Sequence, residues 1–314
     1  MAKIRSTVYF EGDNSIELLD RHSIGQCVAS QMLYVSDLDG TLLDRDGNLS
    51  EVSRSRLQEL LNDGMLFTVA SARSHVSIRE RLGDLPLSLP IIEFNGAFLT
   101  DYQTGEKIHI HAIETQVAQG IHESFEQQQA VYFVSTYDGA SDHVYCGPRR
   151  NKGMDYYVQD RKDAKDPRLC EISGWNSIFD EQIVCITAVG RQSVLQDYQT
   201  ELAEAYGEQL TAHLWEDTYC LGWYWLMVHD GKACKGKALK QLCQSDELSR
   251  VELTVFGDQV NDLGMLEQAD RSIAVSNACL DVLGRADLKI GNHNADAVTE
   301  FLVKDWQTQS RMVE

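Results

Sequence analysis

Short, continuous apolar runs recur along the chain, and each ends on a polar residue. Met32-Leu33-Tyr34-Val35-Ser36 leads into Asp37, Leu66-Phe67-Thr68-Val69-Ala70 into Ser71, and Glu252-Leu253-Thr254-Val255-Phe256 into Gly257-Asp258. Runs of this kind predict strands buried on both faces, as in a parallel sheet, whereas an edge strand would alternate. Pro90–Phe94 predicts a further such strand ending in the turn pair Asn95-Gly96, and Ser272–Val275 a short one. Helical spacing fills the intervals: Ser50 caps a helix carrying Val52, Leu57, Leu60 and Leu61 that stops at Gly64, and another runs from about Ser74 to Leu82. Lys235–Cys243, Asp262–Gln268 and Ala295–Val303 read as later helices. Strand and helix alternating at these lengths imply an α/β fold with a parallel sheet.

The texture changes between these two stretches. Ala97–Asp101 and Glu106–Ile110 alternate about Tyr102-Gln103-Thr104-Gly105 like a hairpin, and a second domain is expected to begin there. Inside it the pattern predicts a helix over Glu114–Gln128, a strand over Ala130–Ser135 and a polar loop through Gly147–Lys165. A strand over Gln182–Val189, a helix over Ser193–Ala205 and a strand-rich Leu210–Val228 follow. The expected organisation is an α/β core of residues 32–104 and 229–314 interrupted by an α+β domain of residues 105–228. Residues 1–31 read as an extension without a role, and Met32 as a natural start.

Composition narrows the function classes. Of 314 residues, 43% are hydrophobic and 24% charged, which suits a folded protein with a sizeable core. Lys and Arg number 28 against 48 Asp and Glu, a formal net charge of −20 that disfavours nucleic-acid and anionic membrane partners. The longest strongly apolar stretch, near Tyr219–Val228, is about half the ~20 residues of a membrane helix. Eight scattered cysteines without a Cys-x-x-Cys pair read as reduced thiols of a cytoplasmic protein. Oligomeric state leaves no signal.

The polar strand ends carry the chemistry. In open α/β sheets ligands bind at the carboxyl edge of the strands. Asp37 and Asp39 can both face that crevice if the chain turns at Gly40. Carboxylates gathered there, Asp37 and Asp39 with Asp258 and Asp262, repel one another and call for a cation. Mg²⁺ suits an all-oxygen donor set shared with a substrate phosphate. An ionised Asp attacking phosphorus forms an aspartyl-phosphate, Lys235 and the ion offset the phosphate charge, and Asp39 is placed to move the protons. His109 and His111 read as solvated strand histidines rather than metal ligands, and Trp215, Trp223, Tyr224 and Trp225 as core of the second domain.

Asp37-Leu38-Asp39-Gly40-Thr41, Ser71, Lys235 and Gly257-Asp258-Gln259-Val260-Asn261-Asp262 resemble, in order, the four motifs of the haloacid dehalogenase-like (HAD) phosphatases. The interval from Asp37 to Ser71 is too short for an inserted domain, while that from Ser71 to Lys235 is ample, which resembles the C2-capped, Cof-type branch. The resemblance implies a Rossmann-like core with an inserted α+β C2 cap. It also implies a Mg²⁺-dependent phosphatase acting on a small phosphorylated metabolite, with a phosphotransferase or phosphomutase, or a non-catalytic phosphate-responsive binding protein, as alternatives. It makes Asp37 nucleophile and metal ligand, and Asp39 acid/base with its carbonyl on the metal. Ser71 and Lys235 would hold the phosphoryl group, Asp258 would bind the metal, and Asp262 and Asn261 would support metal or phosphate. Arg73, Asn95 and Gly96 resemble positions near the substrate. Ser71-Ala72-Arg73 departs from the more frequent Thr-Gly-Arg.

Overall fold

The computed structural model describes residues 7–9, 15–17, 31–175, 178–217, 220–245 and 248–312. Most of the 1–31 segment lies outside the described residues; within it Thr7–Tyr9 pairs antiparallel with Ser15–Glu17. The chain divides into two compact units, Met1–His109 with Cys234–Glu314, and Ile110–Ala233.

The first unit is built on a five-stranded, all-parallel sheet in the order Leu288–Lys289, Arg271–Ala274, Glu252–Gly257, Met32–Ser36, Leu66–Val69. Its central strands are buried along nearly their whole length, which is why they read as unbroken apolar runs. Met32–Ser36 and Glu252–Gly257 are neighbours, yet their successors lie on opposite sides of them, Leu66–Val69 beyond one and Arg271–Ala274 beyond the other. This reversal of strand order is the switch point at which open α/β sheets leave a crevice. Ser36 is in register with both Phe256 and Val69, so Asp37, Ser71 and Asp258 leave the sheet at one level.

Local chemistry sets the helix bounds in this unit. The Glu51–Asn62 helix starts at Ser50, whose hydroxyl accepts from the Ser53 amide. It ends in a Schellman arrangement, with the Gly64 amide donating to Leu61 O and the Met65 amide to Leu60 O, and Gly64 at φ +92°. Asp296 Oδ1 accepts from both Ser50 and Ser53 hydroxyls and so ties this start to that of the last helix, Ala297–Met312.

Three elements of this unit differ from expectation. Ile91–Glu93 touches the parallel sheet only through an Ala70–Ile92 bridge and pairs antiparallel with Phe98–Thr100. The reason is the turn between them, where Phe94, Asn95 and Gly96 all have positive φ and reverse the chain. The strand Lys107–Ile110 completes this three-stranded sheet, so the hairpin lies in the first unit and the division falls after His109. The helix expected over Asp262–Gln268 is present but shorter, one α-helical turn, Leu263–Leu266, preceded by a 3₁₀ turn, Val260–Asp262.

The second unit is a six-stranded sheet, antiparallel except at one edge, in the order Leu169–Glu171, Asp142–Cys146, Tyr132–Tyr137, Gln182–Gly190, Tyr224–Asp230, Leu210–Glu216. Helices Thr115–Gln127 and Gln192–Tyr206 press Val117, Ile121, Phe125, Leu195 and Leu202 onto Tyr132, Val134, Ile186 and Leu226. The segment read as a polar loop contains a helix, Lys152–Asp163, capped by Asn151, whose side chain accepts from the Met154 amide. Its apolar face is only Met154, Tyr157 and Val158, too narrow to stand out among its charges, but it packs on Phe133, Val144 and Val189. Trp225 lies edge-on to Phe133 and Tyr157 in that cluster, while Trp215 is partly exposed.

His229, buried in the strand Tyr224–Asp230, donates Nδ1–H to Val184 O at 3.0 Å, with Cys185 Sγ 3.7 Å from Nε2. Burial, reinforced by His213, pushes its pKa down to about 3. Below about pH 6.5 the unfolded chain therefore binds a proton that the folded one refuses, and stability falls as pH drops towards 3 by up to ~1.4 kcal/mol per pH unit. Urea unfolding at pH 7.5 and 5.5 is expected to show a loss in the wild type about 1 kcal/mol larger than in His229→Asn; equal losses would refute the assignment.

Candidate active site

The first unit gathers its polar strand ends into one buried cluster. Asp37 follows Met32–Ser36 directly, its amide donating to Phe256 O at 3.0 Å, and its side chain is buried. Lys235, first residue of the Lys235–Leu242 helix, is 1% exposed and places Nζ 2.5 Å from Asp37 Oδ1 and 2.8 Å from Asp262 Oδ1. The other Asp262 oxygen accepts from the amides of Asp258 at 2.9 Å and Gln259 at 3.0 Å. Asp262 thus fixes both the lysine and the loop that presents Asp258. Asp258 Oδ1 accepts from Thr41 Oγ1 at 3.1 Å, a contact from the fifth residue of the Asp37 run that sequence reasoning did not assign.

Electrostatics make the cluster short of positive charge. Asp37, Asp258 and Asp262 each offer a carboxylate oxygen within 4.8 Å of the others, against a single buried ammonium. Burial first, then Asp262, pushes the Asp258 carboxyl up to about 6. Burial also raises Asp37 well above the carboxylate range; Lys235 opposes this, while Asp262 and Asp258 add to it. Burial alone would discharge Lys235, but Asp262 and Asp37 outweigh it and hold the ammonium above its ordinary range. Three hard oxygen donors, two of them disfavoured as anions, are the donor set and charge deficit that a divalent cation fits.

Gly40 belongs to this geometry. It sits at φ +80°, and a Cβ there would lie 2.5 Å from Asp258 Oδ2. Asn277 Nδ2 donates to its carbonyl at 2.8 Å, another partner with no sequence signal. Gly40→Ala is expected to cost about 1–2 kcal/mol of stability through the left-handed backbone. By displacing Asp258 it should also lower turnover at least tenfold, with unfolding and kcat measured on the same preparation.

The remaining candidates surround this cluster. Ser71 is buried, with its amide donating to Ile92 O and its carbonyl accepting from the Asn95 amide at 2.9 Å. Asn95 is 1% exposed at φ +55°; its Oδ1 accepts from Asn261 Nδ2 at 3.1 Å, while its Nδ2 is buried without a partner. A buried unsatisfied donor is costly and marks where an acceptor belongs. Gly96 lets the chain pass Cys234, where a Cβ would come within 2.6 Å of the carbonyl oxygen. Behind this turn Glu93 accepts from Lys107 Nζ at 2.5 Å, from Thr100 Oγ1 and from the His75 amide, bracing the start of the His75–Leu82 helix. A glutamate inside the apolar run Pro90–Phe94 was the one signal for that brace.

Asp39 stands apart from the carboxylate cluster. Its side chain is 49% exposed and paired with Arg73, another residue expected near the substrate. His109 and His111 belong to no metal cluster among the described residues. The described cysteines are free, and no described helix is long and apolar enough to cross a membrane.

The sequence pattern of the haloacid dehalogenase-like hydrolases matches residues 34–302, spanning both halves of the core and the whole insertion. The chain belongs to that family. Among its HAD-like relatives, the pyridoxal phosphate phosphatase YbhA of Escherichia coli is 24% identical over 274 residues, covering 85% of this chain and 95% of that protein. The 5-amino-6-(5-phospho-D-ribitylamino)uracil phosphatase YitU of Bacillus subtilis is also 24% identical, covering 86% and 96%. The crystal structure of TM0651 from Thermotoga maritima superposes with a TM-score of 0.70 at 23% identity, covering 87% of this chain and 97% of that one. In this HAD-like hydrolase, similarity to enzymes named as phosphatases thus extends over most of the chain rather than over the motifs alone.

Proposed function

We propose that the protein is a Mg²⁺-dependent phosphatase that hydrolyses a small phosphorylated metabolite through an aspartyl-phosphate on Asp37. The observation that carries this reading is the buried Asp37–Asp258–Asp262 cluster with a single ammonium, Lys235, at the switch point of the sheet. The substrate class follows the relatives, whose names describe small phosphate monoesters.

Asp37 and Asp258 would hold Mg²⁺ with the Asp39 carbonyl, and Asp262 would support it through its bonds to the Asp258 loop and Lys235. When bound, the ion supplies charge compensation for the phosphate and for the attacking carboxylate. Asp37 then forms a bond to phosphorus as the ester oxygen departs with its electron pair and takes a proton from Asp39. Lys235, Ser71 and Asn95 Nδ2 bind the phosphoryl oxygens, with Asn261 orienting Asn95. Asp39, now ionised, removes a proton from the water that releases phosphate from Asp37. The unit Ile110–Ala233 acts as the cap domain and sets the choice of leaving group. The net charge of −20 and the free cysteines support a cytoplasmic enzyme of small molecules with no nucleic-acid or membrane partner.

A screen of phosphorylated metabolites with Mg²⁺, comparing wild type with Asp37→Asn and Asp39→Asn, tests the reading. Release of free phosphate by wild type alone is the expected result. Isomerisation of a sugar phosphate without release would show a mutase, and inertness toward every ester would defeat the proposal.

A further inference from the structure

Asp39 is the acid/base of the proposed reaction, yet it is half exposed and outside the buried cluster. Arg73 grips it with a fork: Nε donates to Oδ2 and Nη2 to Oδ1, both at 2.7 Å. Two parallel bonds from a planar guanidinium fix the plane of a carboxylate, which one bond from a flexible side chain does not. Arg73 is itself held by the loop that carries Ser71. Its Nη1 donates to Ser77 Oγ at 2.9 Å, its amide to Ser71 Oγ at 3.1 Å, and its carbonyl accepts from the Phe94 amide at 3.1 Å. The two loops leaving neighbouring strands, Met32–Ser36 and Leu66–Val69, are thereby locked to each other through one side chain.

We propose that Arg73 is a positioning residue that holds the Asp39 carboxyl in the orientation for proton exchange with the departing ester oxygen. This rests on the reading of Asp37 as nucleophile and Asp39 as acid/base. Each carboxylate oxygen has two lone-pair positions, so one can accept from Arg73 while another carries the transferred proton. That proton leaves Asp39 as the phosphorus–ester bond breaks, and an equivalent one returns from water as the Asp37–phosphorus bond is hydrolysed. Nε, Nη1 and Nη2 of Arg73 are each already engaged by protein acceptors.

The leaving group separates a positioning role from a structural or phosphate-binding one. p-Nitrophenolate departs with little need of a proton, whereas benzyl alkoxide requires one. Turnover of both esters by Arg73→Ala and Arg73→Lys in Mg²⁺ is compared with wild type, with Asp37→Asn as the control for the nucleophile and thermal unfolding as the control for folding. The ratio of benzyl to p-nitrophenyl phosphate kcat is expected to fall at least tenfold in both variants, since loss of general acid catalysis costs ~10²–10⁴ and falls on the poorer leaving group. In an Asp39→Asn background, where the first turnover still releases the alcohol or phenol, Arg73→Ala should not change the ratio of the two first-turnover rates. An unchanged ratio, with or without a raised KM on both esters, overturns the inference while leaving the Asp37 reading intact. Wild type inert to both esters overturns that reading and the inference with it.

Discussion

Asp37→Asn is expected to lower kcat by at least ~10⁴-fold, the scale on which removal of a single catalytic group disables a covalent mechanism. The same substitution should make the folded protein more stable in metal-free buffer at neutral pH. Burial and two neighbouring acids raise the Asp37 carboxyl in the folded state, so the folded form binds a proton that the unfolded chain has released above about pH 4. Ionising it therefore weakens the fold as pH rises, and an amide in its place has no charge to bury. Activity falling while the unfolding midpoint rises is the mark of a group placed for chemistry; a midpoint that falls with activity would make Asp37 a structural residue.

Lys235→Met is the second large effect, and its sign on stability is opposite. The ammonium bridges Asp37 and Asp262 inside the protein, and its removal leaves buried carboxylates uncompensated. Breaking a buried pair from one side costs roughly 3–5 kcal/mol, against about 0.5 kcal/mol or less for an exposed lysine such as Lys240. Denaturant unfolding of Lys235→Met beside Lys240→Met measures the difference. Turnover of the folded variant should drop by ~10²–10³, the usual loss when one donor to a developing anion is removed. Near-wild-type stability in Lys235→Met would mean that the carboxylates are not held as the cluster requires.

The opposite signs follow from one imbalance: three acids surround one base, a deficit that the proposed cation would complete. Removing an acid relieves the imbalance, and removing the base deepens it. Functional sites commonly carry such local conflict in an otherwise consistent fold.

The parts of this site that could be read from the chain are those that follow from backbone direction. Met32–Ser36, Leu66–Val69 and Glu252–Gly257 are buried along nearly their whole length, so they appear as apolar runs, and the first polar residue past each is at the crevice edge by geometry alone. Asp37, Ser71 and Asp258 were legible for that reason. Contacts made by side chains across loops were not. The Asp39–Arg73 fork joins two turns 34 positions apart, and nothing in either turn names its partner. The Thr41–Asp258 bond is equally silent in the sequence. In the fold, helix Lys152–Asp163 escaped notice because three apolar residues suffice to seat it on the sheet. Ile91–Glu93 was given the wrong company because its pairing is decided by the left-handed turn after it, not by its own composition.

The covalent step is the centre of the account, and trapping it is the most direct measurement. On the proposed mechanism Asp39→Asn retains the nucleophile and lacks the base that activates water, so with p-nitrophenyl phosphate and Mg²⁺ it should accumulate the phosphoenzyme. Acid quenching within the first turnover, proteolysis and mass spectrometry are expected to find one phosphoryl group on the peptide containing Asp37, absent in the Asp37→Asn/Asp39→Asn double variant. A first turnover of p-nitrophenol released with no phosphoryl group on the protein, or with the group on another residue, would contradict it.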